Sequence, residues 1–307
     1  MNGRGPATLA GVVAECWRRP GLLARELAWR WVYGVPALVA VGVACDHIYS
    51  VTEGTLRAAG ASQISLEHPW QSAAIVSVVA RVIGPVVTNT AFWLLPLLGL
   101  GWAIAAGVGR NLVLRGYEPG LPWRPVAMTV IQVLRVLALA AAVALWWGGL
   151  RWSAQASTVA GVPDIPVYFA LVAVFTIGIL VLWSLCSWVF FMAPMFVLIE
   201  RRSVAASLGR AMRPGSARAR LVGANVVVAF LRFVAGACFT MLSLLPLGLV
   251  SLAQSLLLWL WLGGMTVAYM VISGFFQVVR LAAFVAFWGP EAAAQNPVSQ
   301  PHPDHVN

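Results

Sequence analysis

Two arginines stand where chemistry could be done. Arg135 lies 11 residues beyond Arg124 and Arg232 lies 12 beyond Arg220, each inside an apolar run. Two helices entering a membrane from the same side would carry them to similar depths. An arginine at the centre of a membrane helix costs roughly 2.5–3.5 kcal/mol or more, and it usually faces a bundle interior or a cavity. Paired there, the two guanidinium groups could bind an anionic headgroup or substrate. The competing reading is that both side chains snorkel to the nearer interface. Val136 to Leu150 makes only ~22 Å of helix, so Arg135 need lie just ~8 Å inside a ~30 Å core. The sequence favours snorkelling and leaves the anion site as the alternative. A second basic group, Arg201, Arg202, Arg210 and Arg213, reads as a cytoplasmic surface for lipid or a protein partner.

Other reactive side chains are scattered. Asp46-His47 and Glu67-His68 could meet as metal ligands in an outer loop, but two separated dipeptides lack ligand spacing. His302 and His305 form an HxxH in a polar tail. Cys16, Cys45, Cys186 and Cys238 form no CxxC pair, which indicates neither a zinc site nor a disulfide framework. No GxGxxG or GxxxxGK follows a strand and no GxSxG is present. No helix carries two carboxylates deep in the membrane. The sequence therefore predicts no catalytic residue, no cofactor and no metal, and hence no enzyme.

The elements that must position these residues belong to a membrane. Of 307 residues 61% are hydrophobic and 10% charged, too few charges to cover a water-facing surface, where about 25% is usual. The net charge of +10 comes wholly from arginine, as the chain has no lysine. The arginines sit at the ends of apolar runs, which is the positive-inside pattern and not a face for nucleic acid.

The fold expected is all-α: a polytopic transmembrane bundle of about six spans with interfacial amphipathic helices. Residues 1–31 form a cytoplasmic or interfacial segment, 32–289 the spans, and 290–307 a disordered polar tail. Pro20 opens a second helix, being tolerated in a first turn. The first span runs from Val32 to about Ile48, and Asp46 to Trp70 forms the largest external segment. Gln71 to Gly84 lies on the surface or re-enters, and the second span follows from Val86 to Gly109. Arg110 to Arg124 is a loop, and Val126 to Leu150 is the third span. Ile165 to Ile199 is 35 residues without a charge, divided at Pro194. The 47 uncharged residues from Phe233 to Val279 would make ~70 Å of helix, enough for two spans that turn at Pro246-Leu247-Gly248. Pro96 to Arg135 and Pro194 to Arg232 span 39 and 38 residues, a faint parallel repeat.

Fifteen arginines fall in the segments read as inner, against Arg57 and Arg151 outside. That asymmetry places both termini in the cytoplasm of a bacterial inner membrane. The stretch around Pro194, Glu200, Ser203 and Ala206, leading into a basic amphipathic helix, resembles a feature of uncharacterised six-helix bacterial membrane families. Among these is the membrane domain attached to some glycerophosphodiester phosphodiesterases. The resemblance implies a fold and a lipid-related setting, with no catalytic activity, because in those fusions the chemistry resides in a separate barrel. The function expected is a non-enzymatic scaffold, assembly factor or complex subunit that contacts membrane lipids and protein partners. The alternative is a transporter or lipid-handling protein using Arg135 and Arg232 on an anionic ligand.

Overall fold

The structure, a computed structural model, describes residues 8–60, 69–159, 161–212, 218–245 and 256–295. These form eight helices and one two-stranded hairpin. The helices are α1 (Leu9–Arg18), α2 (Pro20–Ala58), α3 (Pro69–Tyr117), α4 (Pro125–Ala156), α5 (Ile165–Ile199), α6 (Val204–Met212), α7 (Arg218–Leu244) and α8 (Leu256–Gln295). The hairpin pairs β1 (Thr158–Val159) with β2 (Val162–Pro163). Six of the helices are long and apolar enough to cross a membrane.

Helix starts follow local chemistry. Thr8 caps α1 by accepting the Gly11 amide proton at 3.2 Å, which satisfies one of the free donors of the first turn. Pro20 opens α2 and Pro125 opens α4, where a missing N–H costs nothing. Asp164 caps α5 through the Val167 amide.

Several boundaries differ from the sequence reading. Helix α2 does not end near Ile48 but runs to Ala58. Its polar extension carries the Glu53–Arg57 ion pair and a Tyr49–Glu53 hydrogen bond, each an i,i+4 contact of the kind that supports a solvated helix. Helix α3 is continuous from Pro69 to Tyr117 with Pro85 and Pro96 inside it, so Gln71–Gly84 is the beginning of a helix rather than a separate surface segment. Pro194 likewise leaves α5 undivided. Membrane helices keep such prolines because neighbouring helices and local adjustment re-satisfy the freed carbonyls. Arg110 and Arg115 belong to α3, not to a loop. Helix α8 passes Pro290 and reaches Gln295. The turn expected at Pro246-Leu247-Gly248 lies outside the described residues.

The chain forms two compact units, residues 30–105 and residues 1–29 with 106–307. In the smaller unit the Tyr33 hydroxyl donates to the Leu98 carbonyl at 2.7 Å, and its ring rests on Gly101. The larger unit concentrates its core where the C-terminal parts of α5 and α8 meet α1, α6, the end of α3 and the start of α4. Phe191 through Leu198 are all buried there, as are Val278, Val279 and Leu281 through Val285, with Val12, Leu114, Met128 and Ile131 filling between them. Farther along, α4 and α5 leave Leu137, Leu145, Phe169, Ile177 and Leu185 exposed. Apolar side chains bare on that scale belong against lipid, where they need no protein cover.

Candidate anion-binding site

Arg280 projects from α8 at the edge of this core. Its guanidinium carbon lies 3.4 Å from the centroid of the Phe191 ring on α5, a cation–π contact that replaces part of the lost hydration. Its Nε is buried and makes no hydrogen bond. Three more arginines approach from three helices: Arg110 on α3, Arg135 on α4 and Arg232 on α7 all stand near enough to repel its charge. No carboxylate pairs with Arg280 or Arg232 among the described residues. Like charges in a medium of low polarity repel, and Arg280 bears that repulsion without a carboxylate of its own among the described residues.

Carboxamides accompany the arginines. Gln132 sits one turn before Arg135 and is fully buried with neither its amide nitrogen nor its oxygen hydrogen-bonded; Asn111, next to Arg110, is in the same state. The buried Oδ1 of Asn225, two turns before Arg232, also has no partner. Gln277 precedes Arg280 by one turn and is buried. A native protein rarely leaves buried polar atoms unpaired without a use for them.

A cavity of about 740 Å³ opens beside this group, between α7 and α8, and both Arg232 and Arg280 line it with Gln277 and Tyr269. Volumes of that size suit a small ligand. Among the described residues one fully buried carboxylate, Glu26, belongs to the same compact unit. Glu26 of α2 is 0% exposed and accepts the Trp29 indole N–H at 2.8 Å. Trp29 packs on Gly109, the residue before Arg110 in α3, so closely that a methyl there would overlap the ring.

No protein-family model, curated protein or solved structure matches this chain.

Arg135 and Arg232 both lie within electrostatic reach of Arg280, and Arg232 lines the cavity with it. Sequence reasoning misses Arg110 and Arg280 because it counts both as inner-loop charges. A signal is present all the same: Gln132-Val-Leu-Arg135 and Gln277-Val-Val-Arg280 are nearly the same tetrapeptide, and i,i+3 spacing puts glutamine and arginine on one helix face.

Of the other basic group, Arg201 and Arg202 lie at the junction of α5 and α6. Arg201 takes a left-handed φ of 54° just beyond α5, and Arg124 donates to the carbonyls of Arg201 and Arg202 at 3.0 and 3.3 Å. Arg202 pairs with Glu200, and Ser203 caps α6 through the Ala206 amide. The Pro194–Ala206 stretch is thus a stop, a turn and a fresh helix start. Arg210 lies in the last turn of α6, and Arg213 lies outside the described residues. Asp46 and His47 are helical, whereas Glu67, His68, His302 and His305 fall outside the described residues. Cys16 on α1 is buried, and desolvation together with Glu15 pushes its thiol up to about 11, so it stays protonated at neutral pH and is a poor nucleophile.

Proposed function

We propose that this multi-pass membrane protein binds an anionic group inside the membrane, at Arg110, Arg135, Arg232 and Arg280, and that it handles lipid or an acidic solute without covalent chemistry. The observation that carries the reading is the cavity that Arg232 and Arg280 line together, with no carboxylate partner for either among the described residues. An anion in their midst turns mutual repulsion into attraction, and guanidinium groups bind phosphate and carboxylate through paired charge-assisted hydrogen bonds. Gln277, buried and one turn before Arg280, lines the same cavity and would add a carboxamide donor to the ligand.

A scaffold or subunit role accounts for the 15 tryptophans and the exposed apolar faces, but it leaves four clustered arginines unexplained. The excess of arginine in the segments read as inner supports a bacterial cytoplasmic membrane with both termini inside. The cluster then faces the inner leaflet, where acidic lipids attract basic groups. The likeness of the Pro194–Ala206 elbow to lipid-associated membrane domains supports the same setting.

Native mass spectrometry of the full chain purified in mild detergent tests the reading. The wild type should retain an acidic phospholipid or a small phosphate-bearing anion, and Arg232→Leu and Arg280→Leu should each lose most of it. Because one ligand would meet both Arg232 and Arg280, the double variant should lose little more. Equal retention in all forms would remove the site.

A further inference from the structure

From the cavity between α7 and α8 we infer that the anion is the headgroup of a lipid, and that one of its acyl chains lies along α7 from Arg232 toward Leu244. The inference rests on the anion site proposed above and goes further in naming an amphiphile as its ligand.

The cavity has one polar end and one apolar flank. Arg232, Gln277 and Arg280 mark the polar end. Beyond it the α7 wall is built by Phe233, Gly236, Ala237, Met241 and Leu244, residues three or four apart, which a helix sets in a single stripe. Thr240 is the polar residue in that stripe, and its hydroxyl is already given to the Gly236 carbonyl at 2.9 Å. On the α7 side no further group donates a hydrogen bond to a soluble ion, and the polar group facing that side is the Tyr269 hydroxyl of α8, close to Gly236. Arg232 to Leu244 is ~18 Å of helix, a little more than half of a ~30 Å hydrocarbon core and so the span of one leaflet's chain.

The cavity also opens sideways. Helix α7 packs mainly on α8, and Phe233 and Met241 are each 73% exposed at the mouth. A lipid can enter from the bilayer without passing through water. The bilayer is as apolar as the wall, so the chain adds fit more than affinity, while the arginines supply the attraction. At Gly236 a bare backbone leaves room, since a Cβ there would reach only ordinary contact with Tyr269 at 3.7 Å. A larger side chain at this point would fill the path of the chain.

The test uses the full protein in phosphatidylcholine nanodiscs with a phosphatidylglycerol that carries a photoreactive group on its acyl chain. Peptide mapping should place the label on α7 between Gly236 and Leu244 and on the facing part of α8. Gly236→Leu should lower that labelling at least tenfold, and so should Ala237→Phe, a second variant in case the first folds poorly. Arg232→Gln with Arg280→Gln should abolish it. A hundredfold excess of glycerol phosphate should not compete. If the arginine variants lose acidic lipid while the label in the wild type falls elsewhere, the chain path is wrong and the anion site stands. If glycerol phosphate or inorganic phosphate displaces the lipid, and Gly236→Leu binds as the wild type does, the ligand is a solute and the inference is overturned. If the arginine variants bind and label as the wild type does, both fail together.

Discussion

Arg280 and Gly109 show the two ways a single residue constrains this protein. Arg280 gives up hydration for a cation–π contact with Phe191 and lies within the repulsion of three other arginines. Burying a charge so placed is costly, and the proposed anion would offset that cost. Gly109 acts by absence, since its missing side chain is what lets the Trp29 ring lie on α3. Replacing Gly109 by alanine should cost about 1–3 kcal/mol, the range for overfilling a packed contact, because Trp29 must shift away from the Glu26 carboxylate. Gly34 is the control: it is helical, and a methyl group added there would meet no atom within 4 Å. Gly34→Ala should therefore be neutral or stabilise by about 0.5–1 kcal/mol through helix propensity. Thermal unfolding in detergent separates the two. Equal effects from both substitutions would mean that the Trp29 contact is not tight.

At the scale of elements, the apolar runs carried most of the fold in plain sight, and interruptions misled. The 35 uncharged residues from Ile165 to Ile199 are α5 with its ends in place. Prolines marked no boundary at positions 85, 96 or 194, because a helix surrounded by apolar groups has no better conformation to adopt when water is absent. Charges misled in the opposite sense. Asp46 and Glu53 read as loop, yet Glu53 and Arg57 are spaced to extend a helix. Arg110 and Arg280 read as loop ends, yet both lie within helices. The meeting of Arg232 and Arg280 in one cavity was not legible, because it depends on which faces pack, and only the repeated Gln-Val-x-Arg drew attention to Arg280. The continuity of α3 makes a prediction of its own. Pro85→Ala should be neutral or should stabilise by up to ~3 kcal/mol, the cost of an interior proline. A clear loss of stability would place Pro85 at a helix start, where proline is favourable.

For the whole molecule, six helices are long and apolar enough to cross a membrane, and the proposed orientation is set by arginine. In a background lacking native cysteines, a cysteine at Thr158 in the hairpin should react with a membrane-impermeant maleimide on intact cells, and one at Gly120 between α3 and α4 should not. Labelling at Gly120 alone would invert the account and move the arginine cluster to the opposite leaflet.

The central claim is that this cluster is completed by an anion, and ligand-dependent stability measures it most directly. A ligand that binds only the folded state stabilises by RT ln(1 + [L]/Kd), about 2.7 kcal/mol at a hundredfold excess over Kd. The melting temperature of the delipidated protein should rise with added phosphatidylglycerol and stay level with phosphatidylcholine. Arg280→Leu, freed of a repelled charge, should melt as high as the delipidated wild type or higher, and should not respond to the acidic lipid. The same upward shift in the wild type and in Arg280→Leu, or no shift in the wild type with any anionic lipid or with phosphate, would contradict the claim.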